Sequence, residues 1–380
     1  LLAPKPRVIV SVTSDLCTDQ RVNRTCLVLE KQGFEVMLAG RQLADSLPLT
    51  ERSYRTKRFR LWFTKGPLFY ATYNLRLMWY LLTHRSQMLF ANDLDTLLAN
   101  YVVAFIKRVP LVYDSHEYYT GVPELENRPF IRSIWKKIER TIFPKLDIVI
   151  TVNESIAGLY EKEYGKRPVV IRNVPLKPPS LALTGKQELR RKLELPENDF
   201  LLILQGAGIN IERGAEEAVE SMKYLEGAKL LIVGGGDVLP FLKELVSMHH
   251  LEEKIIFKPR MPYQQLIEYT AAADLGLTLD KNTNVNYRFS LPNKIFDYIH
   301  AGIPVLASRL PEVERVINEY EIGTFVDNHD PKHIASKVEW IRNNPEQTNK
   351  WKSRLIVAGQ QLNWEEESKK FPDLINEYFR

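Results

Sequence analysis

Residues 290–308 read Ser290-Leu291-Pro292-Asn293-Lys294-Ile295-Phe296-Asp297-Tyr298-Ile299-His300-Ala301-Gly302-Ile303-Pro304-Val305-Leu306-Ala307-Ser308. Ser290 has the chemistry of a helix N-cap. Leu291 and Pro292 suit a first turn, where a missing N–H costs nothing. Ile295, Tyr298 and Ile299 share one helical face. Gly302 fits the position just past the helix, Pro304 follows, and Val305 to Ala307 reads as a strand. Asp297 therefore lies one turn inside a helix whose free N–H groups can receive a phosphorylated ligand.

Working outward, the same strand–helix rhythm fills the chain. Strands are expected at 7–12, 35–39, 58–63, 87–91, 111–113, 147–152 and 169–172, then at 200–204, 229–233, 254–257, 275–279, 304–307 and 323–326. Helices are expected between most of them, among them 20–31, 129–141, 156–164, 215–225, 239–248 and 263–272. Such alternation implies parallel sheets with right-handed crossovers, an α/β class. Pro175, Pro178 and Pro179, followed by 180–185, interrupt the rhythm and read as a linker. With 380 residues the chain exceeds one ordinary core. Two Rossmann-like domains facing across a cleft are expected, 1–178 and 179–363, with a C-terminal helix at 364–380.

Composition excludes several classes. Hydrophobic residues make up 44% and charged ones 26%, a globular balance, and the net charge of +5 permits an anionic ligand without demanding nucleic acid. Cys17 and Cys26 offer neither a disulfide framework nor zinc spacing, which suits a reducing cytoplasm. No apolar run approaches the roughly 20 residues of a membrane span. The opening Leu-Leu-Ala-Pro-Lys-Pro has no signal-peptide core and no Met, and reads as an artificial start.

In open parallel sheets, ligands bind beyond the carboxyl ends of the strands. Polar clusters fall there: 13–21, Asn92-Asp93, Asp114 to Glu117, Asn153-Glu154, Arg172-Asn173, 205–208, 234–236, 258–260 and Asp280. Gly206-Ala207-Gly208, with Arg213 after it, can bring backbone amides and a cation to a phosphate. Lys294, Lys258 and Arg260 are further cations for that task. Gly234-Gly235-Gly236 favours turn geometry. Asp19 can cap the 20–31 helix, while Arg21 and Arg24 suit loop bracing and acceptor binding equally. His116 suits a strand cap, a donor to a sugar hydroxyl or a proton shuttle.

Residues 52–85, from Arg52 to Arg85, contain eight Lys and Arg and no Asp or Glu, interleaved with Trp62, Phe63, Phe69, Tyr70, Tyr73, Trp79 and Tyr80. Cations with interfacial aromatics suit an anionic membrane surface or a lipid-pyrophosphate acceptor. They also suit plain packing or single-stranded nucleic acid. No RNA-binding signature accompanies them, so no nucleic-acid partner is expected.

The 290–308 stretch resembles the nucleotide-sugar site of retaining GT-B glycosyltransferases, in particular glycosyltransferase family four. That family carries Glu, seven residues, then a second Glu ahead of Ala-Met-Ala-x-Gly-x-Pro-Val. Asp297 stands at the second Glu and Phe289 at the first. The Gly-Arg-x-x-x-x-Lys-Gly loop aligns with Gly208 at the Arg and Arg213 at the Lys. The resemblance implies that Asp297 holds the donor ribose. It also implies that Arg213, Lys294 and the amides of Ser290, Leu291 and Asn293 hold the diphosphate, with Gly206 and Gly208 beside it. His116, in a pattern similar to the family's Asp-x-His-Glu, would lie near the transferred sugar. In GT-B enzymes the C-terminal helix crosses back onto the first domain. Asp93-Leu94-Asp95 matches the metal-holding Asp-x-Asp of GT-A enzymes, but its context follows the family's His-Asp-x-x-Thr, with Asn92 for His, and no metal is expected.

The expected activity is sugar transfer from a nucleotide diphosphate sugar, the donor substrate, to a hydroxyl of a glycan or lipid-linked acceptor. Apart from that substrate no cofactor is expected. A cytoplasmic enzyme, peripheral on the inner face of the membrane, fits this reading. A nucleotide-sugar epimerase and a catalytically silent partner subunit are the alternatives.

Overall fold

A computed structural model describes residues 5–376 except 18, 45, 47, 50 and 179–184. The start of the chain and most of the expected linker after Pro178 lie outside the described residues. The chain divides into two compact units: residues 1–173 with 367–380, and residues 174–366.

The first unit is a seven-stranded parallel sheet in the order β3-β2-β1-β4-β5-β6-β7. Its strands are β1 (Arg7–Asp15), β2 (Glu35–Gln42), β3 (Arg55–Arg60), β4 (Met88–Asn92), β5 (Leu111–Ser115), β6 (Ile148–Thr151) and β7 (Val169–Val170). The helices are α1 (Gln20–Lys31), α2 (Gly66–Thr83), α3 (Leu94–Lys107), α4 (Pro123–Glu126), α5 (Pro129–Ile142) and α6 (Glu154–Tyr164). Strands β1, β4 and β5 are apolar on both faces because helices cover both sides, which explains their unbroken hydrophobic runs. Asp19 caps α1, its carboxylate accepting from the Val22 amide at 3.0 Å.

The second unit repeats the plan with six parallel strands in the order β10-β9-β8-β11-β12-β13. These are β8 (Phe200–Gly206), β9 (Ala228–Gly234), β10 (Ile255–Lys258), β11 (Leu275–Thr278), β12 (Val305–Ser308) and β13 (Gly323–Val326). Around them lie α7 (Lys186–Lys192), α8 (Ala215–Ser221), α9 (Leu239–Met248), α10 (Tyr263–Ala272), α11 (Val285–Arg288) and α12 (Asn293–Ala301). Then follow α13 (Pro311–Tyr320), α14 (Pro331–Arg342), α15 (Pro345–Gln361) and α16 (Trp364–Glu367). In each sheet the order reverses once, between β1 and β4 and between β8 and β11, and the crevice at such a point is where doubly wound sheets bind ligands.

Three local expectations change. Helix α12 begins at Asn293 with Pro292 at its N-cap and no side-chain cap bond; Ser290 instead donates its hydroxyl to the Tyr287 carbonyl at 2.9 Å. The side chain that could have capped α12 thus closes the end of α11. The 215–225 helix stops at Ser221 and tightens into a 3₁₀ turn, Met222–Tyr224. The single helix expected at 364–380 is two, α16 and α17 (Lys370–Asn376). Pro372 cannot donate to the carbonyl of residue 368, so a continuous helix is interrupted there. Helix α17 lies with the first unit, where the Lys370 ammonium donates to the Val170 carbonyl at 3.0 Å. No helix among the described residues is long and apolar enough to cross a membrane.

Candidate active site

In the second unit the expected donor residues converge on the ends of β8 and β11. Gly206 closes β8, and Gly234 approaches it so closely, at φ 137°, that any Cβ there would collide with the Gly206 carbonyl. Gly214, at φ 72°, leaves its Cα pressed against the Leu279 backbone and opens α8. The Gly234 cluster is thus turn geometry, as its sequence suggested. The Arg260 guanidinium reaches the same loop and donates to the Ala207 carbonyl.

Asp280, just past β11, organises the cations. It is wholly buried, accepts from Arg213 Nη1 at 2.8 Å, and lies 3.2 Å from Lys294 Nζ in the first turn of α12. Burial pushes its carboxyl up, but the Lys294 and Arg213 charges outweigh burial and hold it below the ordinary value. Arg213 also stacks 4.2 Å over the Tyr287 ring. Its Nε is buried without a hydrogen-bond partner, a donor that an anion could satisfy. Two cations on one carboxylate leave a net positive charge beside a helix start, the electrostatics of a phosphate site.

Asp297, one turn further along α12, is almost fully buried. It accepts from Gln205 Nε2 at 2.9 Å and from the Tyr263 hydroxyl at 3.1 Å. Gln205 is itself oriented by Thr270, whose hydroxyl donates to Gln205 Oε1 at 2.7 Å. Leu291 and Asn293 flank the start of α12, and Gly208 lies exposed on the β8 loop. The structure therefore brings together Gly206, Arg213, Lys294 and Asp297 through Asp280 and Gln205. The sequence marked those two only as polar strand ends, and nothing in it named their partners.

The first unit holds a second polar cluster at the ends of β4 and β5. Arg21 is buried and grips Asp114 through two nitrogens, at 2.8 and 3.2 Å, while a third donates to the Ile171 carbonyl at 3.0 Å. Arg24 donates to Asn173 at 2.6 Å. Both arginines brace the unit. His116 stands between two carboxylates, with Nδ1 3.2 Å from Asp93 and Nε2 3.4 Å from Asp114, the longer distance being charge attraction rather than a hydrogen bond. Burial alone would lower the imidazole pKa, yet Asp93 and Asp114 outweigh it and raise it well above its ordinary value. The two carboxylates thus favour the protonated form of the ring.

Asp93 carries backbone strain. Its φ of 59° with ψ of 164° is a region that glycine alone occupies readily. The conformation is held by its N–H on the Asp114 carbonyl at 2.9 Å and by its carboxylate, which accepts from the His116 amide at 2.8 Å. Asp95, buried beside it, accepts from the Thr13 hydroxyl at 2.5 Å. Burial, then the Asp93 charge, pushes the Asp95 carboxyl up to about 8. Strain and shifted carboxyls gathered at a switch point are the signature of a functional site. Neither the strain nor the burial of Asp95 was legible in a three-residue Asp-Leu-Asp pattern.

Two family models match the chain, Glycosyltransferase Family 4 over residues 20–174 and Glycosyl transferases group 1 over residues 185–356. A D-inositol 3-phosphate glycosyltransferase of Thermomonospora curvata is 24% identical over 193 residues, 48% of this chain and 43% of that protein. The chain spans about half the length of the curated relatives it matches. Sucrose-phosphate synthase from Thermosynechococcus elongatus shares the fold at a TM-score of 0.78 and 18% identity, over 99% of both chains. The Anabaena protein Alr3699/HepE in complex with UDP does so at 0.71 and 15%, over 98% of this chain and 100% of that one. Two parallel-sheet α/β units, two adjoining family matches and these fold neighbours together make the chain one of the GT-B glycosyltransferases of the family four type.

Proposed function

We propose that this chain transfers a hexose from a nucleotide diphosphate sugar to a hydroxyl of a glycan or lipid-linked acceptor, with retention and without a metal ion. The observation that carries the reading is the Arg213–Asp280–Lys294 cluster at the start of the helix that bears Asp297. In the reaction the acceptor oxygen bonds the anomeric carbon as the bond from that carbon to the phosphate oxygen breaks. The electron pair leaves on the diphosphate, which takes the hydroxyl proton. Arg213, Lys294 and the first amides of α12 would stabilise the charge that develops there, ordinarily the largest catalytic contribution in such sites. Asp297 would accept from the ribose hydroxyls. His116 would present its positive charge to the transferred sugar. UDP in the Anabaena neighbour supports uridine as the first nucleoside to try.

An anionic membrane surface is part of the proposal. Helix α2 turns Leu68, Leu75, Trp79 and Leu82 outward, and Trp62 and Phe63 beside it are also exposed. The surrounding cations of residues 52–85 suit acidic lipid headgroups. The deciding experiment is calorimetric titration with UDP and UDP-glucose, followed by product analysis with candidate acceptors. Absence of binding by any nucleoside diphosphate would overturn the donor assignment. Interconversion of the donor without an acceptor would point to the epimerase.

A further inference from the structure

The first unit contains a cavity of about 940 Å³ that the donor chemistry does not use. Its size is at the upper end of the ~300–1,000 Å³ of small-molecule sites. Apolar walls come from one face of α5, through Phe130, Ile131, Ile134, Trp135 and Ile138, and from Leu98 of α3. Phe130 is 77% exposed, Ile134 46% and Leu98 39%, so three large apolar side chains border one concavity uncovered. The Trp135 ring meets Tyr70 at 5.2 Å and Tyr119 at 5.4 Å, both edge-on, which makes a rigid aromatic wall.

The polar lining is one-sided. Asp93, Asp95, Glu117 and Glu124 contribute four carboxyl groups against the single cation Arg128. Asp95 is 5% exposed, and its Oδ1 is buried without a hydrogen-bond partner. With its carboxyl pushed up to about 8, Asp95 is mostly the neutral acid at pH 7, so the orphan oxygen calls for a partner that can both donate and accept, and a hydroxyl does both. A phosphate would meet repulsion from the Asp93, Glu117 and Glu124 carboxylates of the lining.

We propose that this cavity binds the acceptor as a neutral amphiphile: an alkyl or prenyl chain between α3 and α5, with its hydroxyl-bearing head at Asp95. The inference rests on the glycosyl-transfer reading and narrows its acceptor to a lipid-like molecule without charge at the reacting end. A free sugar would leave the Phe130–Ile134 face wet, and an anionic head would lack a counter-charge at Asp95.

The probe is n-octyl β-D-glucopyranoside below its micelle-forming concentration, compared with methyl β-D-glucopyranoside. Both are titrated calorimetrically into the full chain, with UDP titrated separately. The octyl glycoside should bind at least tenfold more tightly than the methyl one. Phe130→Glu and Ile134→Glu, both at exposed positions that tolerate a polar side chain, should each erase that preference while changing UDP affinity less than twofold. Equal binding of the two glycosides, or an undiminished octyl preference in both variants, would overturn the proposal. Octyl binding in a chain that binds no nucleoside diphosphate would keep the cavity and remove the donor reading. UDP binding without an alkyl preference would do the reverse.

Discussion

Replacing Asp280 by Asn separates the two tasks of the cation cluster. The amide keeps the shape of the side chain and removes its charge, so Arg213 and Lys294 face each other uncompensated. Breaking a fully buried pair costs about 3–5 kcal/mol. Here Asp280 is 1% exposed, Lys294 11% and Arg213 27%, so water screens part of the loss. A destabilisation of roughly 2–3 kcal/mol follows. The sign with pH is fixed by the lowered carboxyl: its contribution is present above its ordinary value of 3.8 and disappears as pH falls through the folded value. Asp280→Asn should therefore flatten the acid limb of the stability curve. A bound diphosphate returns negative charge to the same two cations, so UDP should bind the variant more tightly, by about tenfold, which is ~1.4 kcal/mol. Urea denaturation with and without UDP, together with calorimetry, measures both quantities. A variant that loses stability but gains no more from UDP than the parent would refute the claim that these cations meet the diphosphate.

Three further outcomes are expected. His116→Ala should lower kcat about 30- to 1,000-fold with UDP affinity nearly unchanged. Because its folded pKa is raised, the imidazolium persists above pH 6.5, and kcat measured against pH should fall only as pH rises through the folded value. Asp297→Ala should weaken UDP-sugar binding before it affects turnover, by about 10- to 150-fold for a lost charge-assisted bond of ~1.5–3 kcal/mol; unchanged affinity by calorimetry would sink the ribose assignment. Turnover should survive excess EDTA, and a loss restored by manganese would return the Asp93–Asp95 pair to consideration as a metal site.

The architecture was legible because parallel strands covered on both faces must be apolar throughout. β1 and β8 announce themselves through Val8–Val10 and Leu201–Leu204. Glycine marked the close approach at Gly234, where any Cβ would meet the Gly206 carbonyl. What sequence could not disclose was pairing across distance. Asp280 meets a residue 67 positions earlier, and Gln205 meets Asp297 across 92 positions. Ser290 misled because its oxygen could accept from the first amides of α12 or its hydroxyl could donate to a carbonyl at the end of α11, and local order alone does not say which. The Asp93 strain is a backbone property that no side-chain pattern encodes.

Helix α2 is apolar on both sides, with Phe69, Tyr73, Leu77 and Tyr80 inward and Leu68, Leu75, Trp79 and Leu82 outward. The outward stripe extends about 21 Å at the ~1.5 Å rise of a helix. Its consequence is colloidal. In dilute buffer this stripe is a cohesive surface, and sulfate or phosphate salts strengthen such cohesion. Attraction of the neighbouring cations to acidic lipid weakens as salt rises. Ionic strength should therefore drive the chain in opposite directions, off anionic vesicles and towards its own copies, and sedimentation across a sulfate gradient would display both movements in one experiment.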